Sequence, residues 1–323
     1  MTAAPPAGAA SAEHPGPVAV PGRNRRTRLV ACGALVGVTA VWGSTFALSK
    51  DLTTRLPVPD YLACRFLAAA AFLALVRPRS VLALDRRTAV RGATLGGLYA
   101  VGQLLQFLGL QSTAPTVSAF VVSMYVVFTP IVAAVLHRRR PSAASVAATT
   151  LATAGLAVLA LRGWSFGSGE TLILVASLLY AFHILALGRW SGAVTAYSLT
   201  FVQLATMGLI LLVAAAPDGV TLPAPGDWPT FLYLALLAGG AALLVQTRAQ
   251  AHLPSATVAV IMVLEPVWAA AFGRLLWHEN LDRRTVVGGA LVVAAMLLVV
   301  VGAASVGWSR SRTAVVPPPL GPH

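Results

Sequence analysis

Residues 115–140 read PTVSAFVVSMYVVFTPIVAAVLHRRR, an uncharged stretch from Pro115 to Leu136 closed by Arg138, Arg139 and Arg140. As a helix rising about 1.5 Å per residue, the apolar part is long enough to cross the roughly 30 Å hydrocarbon core of a bilayer. The arginines would stop it at a headgroup layer. The same unit recurs along the chain. Apolar segments fall at about 29–49, 60–76, 89–109, 115–136, 143–161, 169–187, 194–215, 228–249, 255–276 and 284–306, and charge collects in the gaps between them.

Composition agrees with repeated threading through lipid. Of 323 residues, 57% are hydrophobic and 10% are charged, with a mean hydropathy of +0.79. A soluble protein carries about 25% charge, so this chain cannot cover itself against water. Helices are expected, because a β-barrel would show weaker apolar segments interrupted by lumen-facing polar positions. The net charge of +13 does not point to nucleic acid, since the basic residues lie in short loops and tails and form no stripe on a polar domain. Cys32 and Cys64 fall inside apolar segments and read as packing residues. No disulfide, metal or cofactor is expected.

The basic residues also predict orientation. The N-terminal cluster (Arg23, Arg25, Arg26, Arg28), the second gap (Arg77, Arg79, Arg86, Arg87, Arg91), the fourth gap (Arg138, Arg139, Arg140), Arg189, Arg248, Arg310 and Arg312 all fall on one side. Lys50, Arg55, Arg162, Arg283 and Arg284 fall on the other. The positive-inside rule then predicts a multi-pass protein of the cell (cytoplasmic) membrane with both termini cytoplasmic, which requires an even number of crossings. Residues 1–22 lack the features of a signal peptide, so the first apolar segment is expected to remain in the mature protein. The tails 1–28 and 307–323, the latter with Pro317, Pro318 and Pro319, read as flexible.

The stretch that opened this reading also occurs twice. Thr116–Leu159 lies without a gap on Ala256–Val299, an offset of 140 residues. Met124-Tyr125-Val126-Val127-Phe128 then matches Leu264-Glu265-Pro266-Val267-Trp268, and Val135-Leu136 matches Leu275-Leu276. The expectation is an all-α integral membrane protein of ten transmembrane helices in two five-helix repeats, 29–161 and 169–306. An odd number of crossings per repeat inverts the second relative to the first, an architecture common among alternating-access transporters.

With those residues in view, the chain resembles the drug/metabolite transporter superfamily, and within it the EamA-like ten-helix permeases, over about residues 30–306. The resemblance rests on Trp42-Gly43-Ser44-Thr45-Phe46, Arg65-Phe66, Leu264-Glu265-Pro266-Val267-Trp268 and His278-Glu279, which stands where the family has a Gly-Glu turn. The first repeat departs from the pattern: Arg138-Arg139 replaces Gly-Glu, and Tyr125-Val126 stands where a Glu-Pro pair is found. The resemblance implies transport of small metabolites, amino acids or drugs, and leaves the cargo open.

Ten residues are candidates for a substrate cavity or coupling site. Arg65 and Glu265 are charges placed inside apolar segments, where they are costly unless paired or facing a cavity. Arg65 reads either as an interfacial anchor and bundle tie or as an attractor of a carboxylate or phosphate. Glu265 reads either as a hydrogen-bonded structural acid or as a proton-coupling group; Pro266 follows it and Trp268 is placed to share its helix face. Tyr99, Gln103 and Gln106 recur at helical spacing, as do Tyr180 and His183; Gln203, outside the ten, stands by itself in the seventh segment. Trp42 could stack on a flat or cationic cargo, while its neighbour Gly43 equally permits close helix packing. Tyr125 completes the set as the counterpart of Glu265. Glu279, Asp282, Arg283 and Arg284, beside Arg274, read as a salt-linked turn or a gating latch.

The function expected is a secondary transporter driven by the substrate gradient or by protons; the resemblance implies a small metabolite, amino-acid-like compound or drug as cargo, and the export direction. Its expected partners are that small molecule and membrane lipid, with monomer and homodimer both compatible. The alternatives are a multipass enzyme acting on a lipid-linked substrate, which would need clustered catalytic groups at an interface, and a non-transporting scaffold or sensor.

Overall fold

The structure is a computed structural model that describes residues 25–136, 138, 140, 143–160, 167–192, 195–253, 258, 261–276 and 278–312. Residues 1–24 and 313–323 of the expected tails, with Arg139 and Arg162, lie outside the described residues.

Helix accounts for nearly all of the described chain. In the first half it forms α1 (Arg25–Thr53), α2 (Val58–Val76), the short α3 (Pro78–Leu82), α4 (Arg86–Ser112), α5 (Pro115–Val122), α6 (Tyr125–Leu136) and α7 (Ala143–Ala160). In the second half it forms α8 (Ser168–Trp190), α9 (Ala196–Ala215), α10 (Trp228–Leu232), a π-helical segment (Tyr233–Ala241) continuing into α11 (Ala242–His252), α12 (Leu264–Leu276) and α13 (Arg283–Arg312). Seven described helices are long and apolar enough to span a membrane: Leu29–Thr53, Val58–Val76, Arg86–Ser112, Pro115–Leu136, Ser168–Trp190, Ala196–Ala215 and Pro225–His252. Val146–Val158 is a shorter apolar helix in the fifth segment, and α12 and α13 occupy the ninth and tenth.

Local chemistry sets several boundaries. Proline in the first turn of α2, α3 and α5 removes an N–H that would have had no partner there. Asp85 caps α4 by accepting from the Thr88 backbone N–H at 2.8 Å and from the Thr88 hydroxyl at 2.8 Å. Between α5 and α6 the chain tightens at Ser123 and Met124, where Val126 N–H donates to Ser123 O at 3.0 Å and Val127 N–H to Met124 O at 3.0 Å. These three-residue bonds interrupt the fourth crossing near its middle.

The duplication is visible in the backbone. Ser123 lies in the break of the first copy, and Val263, its counterpart 140 residues on, is a turn residue immediately before α12. Among the described residues the two non-glycine residues with positive φ are Arg138 at 49° and His278 at 52°, again 140 apart. The packing is exchanged in the same manner. The third helix of the first copy, α4, packs on the first helix of the second, α8, while α11 packs on α1. The last helices of the two copies, α7 and α13, pack together, and so do the second helices, α2 and α9.

Two large apolar clusters and a small third one, at Leu95, Leu187 and Leu199, form the interior of the described residues. One large cluster joins α5 and α6 with α7, α8, α12 and α13; the other joins α2 with α4, α9 and the π-helical segment. Trp42 and Tyr99 touch both large clusters, so the seam between them runs past these two residues.

Candidate functional site: a cavity between the two copies

That seam holds a cavity, with about 70 Å³ open to the centres of water-sized molecules. This is small beside an ordinary ligand site of about 300 Å³ or more, so a metabolite requires the cavity to widen. Nine of the ten residues singled out in the sequence line it: Trp42, Arg65, Tyr99, Gln103, Gln106, Tyr125, Tyr180, His183 and Glu265. Trp268 is absent from the lining. It stacks on Phe272 at 6.1 Å and lies against Gly43, where an added Cβ would come within 2.6 Å of the Trp268 Cβ. Residues three apart on a helix differ in direction by about 60°, enough to aim Glu265 at the cavity and Trp268 at α1. Of the two readings of the Trp42-Gly43 pair, the close-packing one describes Gly43.

Arg65 is buried, with 4% exposure, and is held by a set of neutral groups. Its Nε donates to Leu234 O at 3.0 Å and its Nη1 to the Tyr61 hydroxyl at 3.2 Å. Tyr61 in turn is hydrogen-bonded to Ser49 at 2.9 Å. The rings of Phe66, Tyr61 and Phe107 surround the guanidinium at 5.5, 5.9 and 5.9 Å. Such an aromatic bed offsets part of the cost of removing a guanidinium from water. Among the described residues Arg65 makes no ion pair, and Nη2 carries no hydrogen bond.

Leu234 belongs to the π-helical segment, and the same segment is gripped a second time. Trp42 Nε1 donates to Ala238 O at 2.9 Å. In a π-helix the carbonyls bond five residues ahead and sit wide of α-helical positions, so they are open to outside donors. Arg65 from α2 and Trp42 from α1 supply those donors, while Tyr233 at the start of the segment bonds Ser44 at 2.8 Å. Gly239, which the segment presents to the cavity, lies close to the segment's own backbone: an added Cβ would come within 3.3 Å of Leu234 O.

Opposite this region, the polar face of α4 is interlocked with α8. Gln103 Nε2 donates to the Tyr180 hydroxyl at 2.8 Å, and that hydroxyl donates to Gln106 Oε1 at 2.6 Å. Gly102 provides the seat for the Tyr180 ring, since an added Cβ would approach its Cε1 to 2.6 Å. Tyr99 stacks on His183 at 4.7 Å and meets Tyr180 edge-on at 5.0 Å. His183 Nε2 lies 2.9 Å from Gln203 Oε1, and the Gln203 amide donates to Leu199 O at 3.3 Å. An amide oxygen can only accept, so in this arrangement His183 Nε2 is the donor. The lone glutamine of the seventh segment therefore fixes the histidine tautomer.

Glu265 closes the cavity on the α12 side. Tyr125 donates its hydroxyl proton to Glu265 Oε2 at 2.9 Å. Their separation is 140 residues, so equivalent positions of the two copies touch. Among the described residues Glu265 forms no ion pair. It therefore faces the cavity with one neutral donor and with acceptor capacity to spare.

Sequence reasoning passed over Gln246 of α11, a buried amide that also lines the cavity, and the π-helical segment itself. Gln246 carried a signal, a polar side chain inside an apolar run. The run Ala238-Gly239-Gly240-Ala241 reads as ordinary small-residue packing, and nothing in its composition announces a π-turn.

At the turn before α13, Thr116 donates to the Glu279 carboxylate and Glu279 N–H donates to Gly273 O at 3.0 Å. Asp282 accepts from the Thr285 hydroxyl and backbone N–H, which hold its carboxyl below the usual range. Arg283, Arg284 and Arg274 make no ion pairs among the described residues, so the salt-linked turn expected there is replaced by a hydrogen-bonded one.

A duplicated, helical, membrane-spanning architecture around a cavity lined by both copies defines the class: a polytopic membrane protein. The comparison with known proteins makes this specific. Residues 29–161 and 167–301 each match the EamA-like transporter family, so the chain belongs to that family and to the wider drug/metabolite transporter group. A protein of the archaeon Archaeoglobus fulgidus described as an uncharacterized transporter is 27% identical over 260 residues, covering 79% of this chain and 80% of its own. A solved crystal structure of a protein described without a function has the same fold, with a TM-score of 0.62 at 20% identity over 85% of this chain and 96% of its own.

Proposed function

We propose that this membrane transporter moves a small metabolite, amino-acid-like compound or drug across the cytoplasmic membrane by alternating access, in the export direction and with both termini cytoplasmic. In this reading the five-helix units 29–161 and 169–306 are the two bodies that exchange conformations. The observation that carries the reading is the position of the cavity. It lies where both helix breaks, the π-helical segment and the two intramembrane charges converge, and irregular backbone at membrane depth is tolerated only where it is buried or lines a cavity.

Arg65 and Glu265 divide the roles. The tethered guanidinium, with Nη2 free, attracts an anionic group of the cargo; Glu265 receives either a cationic group or a proton. The Tyr99–His183 stack and the Tyr180–Gln103–Gln106 lattice form the wall against which the cargo is oriented.

The test is transport in proteoliposomes over a broad metabolite panel, with and without an imposed pH gradient. Glu265→Gln is expected to abolish the response to the pH gradient while leaving downhill exchange measurable. A full gradient response in that variant would exclude proton coupling through Glu265. Arg65→Lys keeps the charge and loses the fork, and is expected to weaken apparent affinity about tenfold, the loss of one charge-assisted hydrogen bond; unchanged transport in Arg65→Ala would remove Arg65 from cargo binding.

A further inference from the structure

The loop between α2 and α4 contains a feature that transport does not use. Residues 77–91, RPRSVLALDRRTAVR, hold five arginines and a single acid. That acid, Asp85, is engaged as the α4 cap, and the Thr88 donors keep its carboxyl below the usual range, so it stays ionised and leaves a net charge of +4. Among the described residues none of the five arginines makes an ion pair.

The arginines are nevertheless placed. Arg77 lies over the Tyr197 ring at 5.4 Å and Arg91 over the Trp190 ring at 5.9 Å, both rings supplied by the second copy. A guanidinium on an aromatic face keeps its N–H edge free for an anion. The loop is docked to α9 by Ser198, which donates to Ser80 O at 2.7 Å. Beside this contact runs a groove whose polar walls are Arg79, Ser80, Asp85, Thr88, Thr195 and Ser198. Arg86 and Arg87, both exposed, open the first turn of α4 next to Asp85.

The same rim exposes large apolar side chains: Leu75 at 81%, Val76 at 55% and Leu82 at 85%. Leu75 and Val76 end the apolar span Val58–Val76, so this rim stands where acyl chains give way to headgroups. A phospholipid uses both the arginines and these side chains, since its acyl chains cover Leu75, Val76 and Leu82 while its phosphate meets the guanidinium groups. We propose that this groove is a binding site for the headgroup of an anionic phospholipid, held by Arg79 with Arg86 and Arg87. Because the groove draws walls from both copies, its occupant bridges them at the arginine-rich end of the bundle.

The test is lipid retention by the full chain reconstituted in phosphatidylcholine alone or in an equimolar mixture with phosphatidylglycerol, read by native mass spectrometry of the released protein. The wild type is expected to retain phosphatidylglycerol preferentially, and the preference is expected to survive excess inorganic phosphate. Arg79→Gln with Arg86→Gln and Arg87→Gln should reduce the preference about tenfold or more. Arg138→Gln with Arg140→Gln, in a different arginine-bearing loop, should leave it unchanged, and Arg79→Gln alone gives a partial loss if the triple variant fails to accumulate. Equal retention of both lipids overturns the proposal. So does equal loss in both sets of variants, which would mean a diffuse surface potential, or displacement by inorganic phosphate, which would mean a site for a soluble anion.

Discussion

The two copies carry different residues at one equivalent position, Tyr125 in the first and Glu265 in the second, and the fold brings these two side chains into a hydrogen bond of 2.9 Å. A residue near a two-fold axis meets its own counterpart. Two glutamates there would place like charges side by side in a buried site, and two tyrosines would leave the cavity without its carboxyl group. A donor paired with an acceptor satisfies both, so the departure of the first copy from the Glu-Pro pattern is complementary to its retention in the second. Divergence between the copies supplies a contact that exact duplication could not.

The largest effect should come from restoring the symmetry. Tyr125→Glu sets a carboxyl against Glu265 and is expected to destabilise the protein by about 3 kcal/mol or more unless one of the pair is protonated. Thermal unfolding in detergent across a pH series checks this, and recovery of the unfolding midpoint toward acid pH is the expected sign. Glu265→Gln in the same background should relieve most of the loss.

Tyr125→Phe is milder. It removes the one donor that Glu265 has among the described residues and should cost about 1–3 kcal/mol, less if cavity water takes over the bond. An unchanged midpoint in this variant would show that the contact between copies contributes nothing to stability.

The smallest effect concerns a position where the copies agree. Arg138 and His278 share a left-handed backbone, φ 49° and 52°, that glycine adopts without strain. Arg138→Gly and His278→Gly are each expected to raise stability by about 0.5–1 kcal/mol, the strain released less the added entropy of the unfolded chain. A gain in one and a loss in the other would break the structural equivalence of the two turns.

These residues also show what was readable in advance. The apolar segments were legible because length and lack of charge decide membrane crossing locally, without reference to partners. Tyr99, Gln103, Gln106, Tyr180 and His183 were legible as polar residues at helical spacing in spans that tolerate few of them. The failures have geometric causes. Trp268 is close in sequence to Glu265, yet its direction on the helix carries it to Gly43. The π-helical segment depends on Arg65 and Trp42, side chains more than 160 residues away that take its carbonyls. Gln203 looked solitary because its partner His183 lies on another helix.

By itself the sequence determined that the chain enters lipid repeatedly, that it is built twice at an offset of 140 residues, and which polar residues are too costly to be incidental. All three follow from local transfer energetics and from comparing the chain with itself. Only the tertiary structure decided that Tyr125 meets Glu265, that Arg65 and Trp42 hold the π-turn, and that nine of the ten candidates face one cavity. Those outcomes depend on how each helix is rotated about its axis and which copy it packs against, and composition leaves both free.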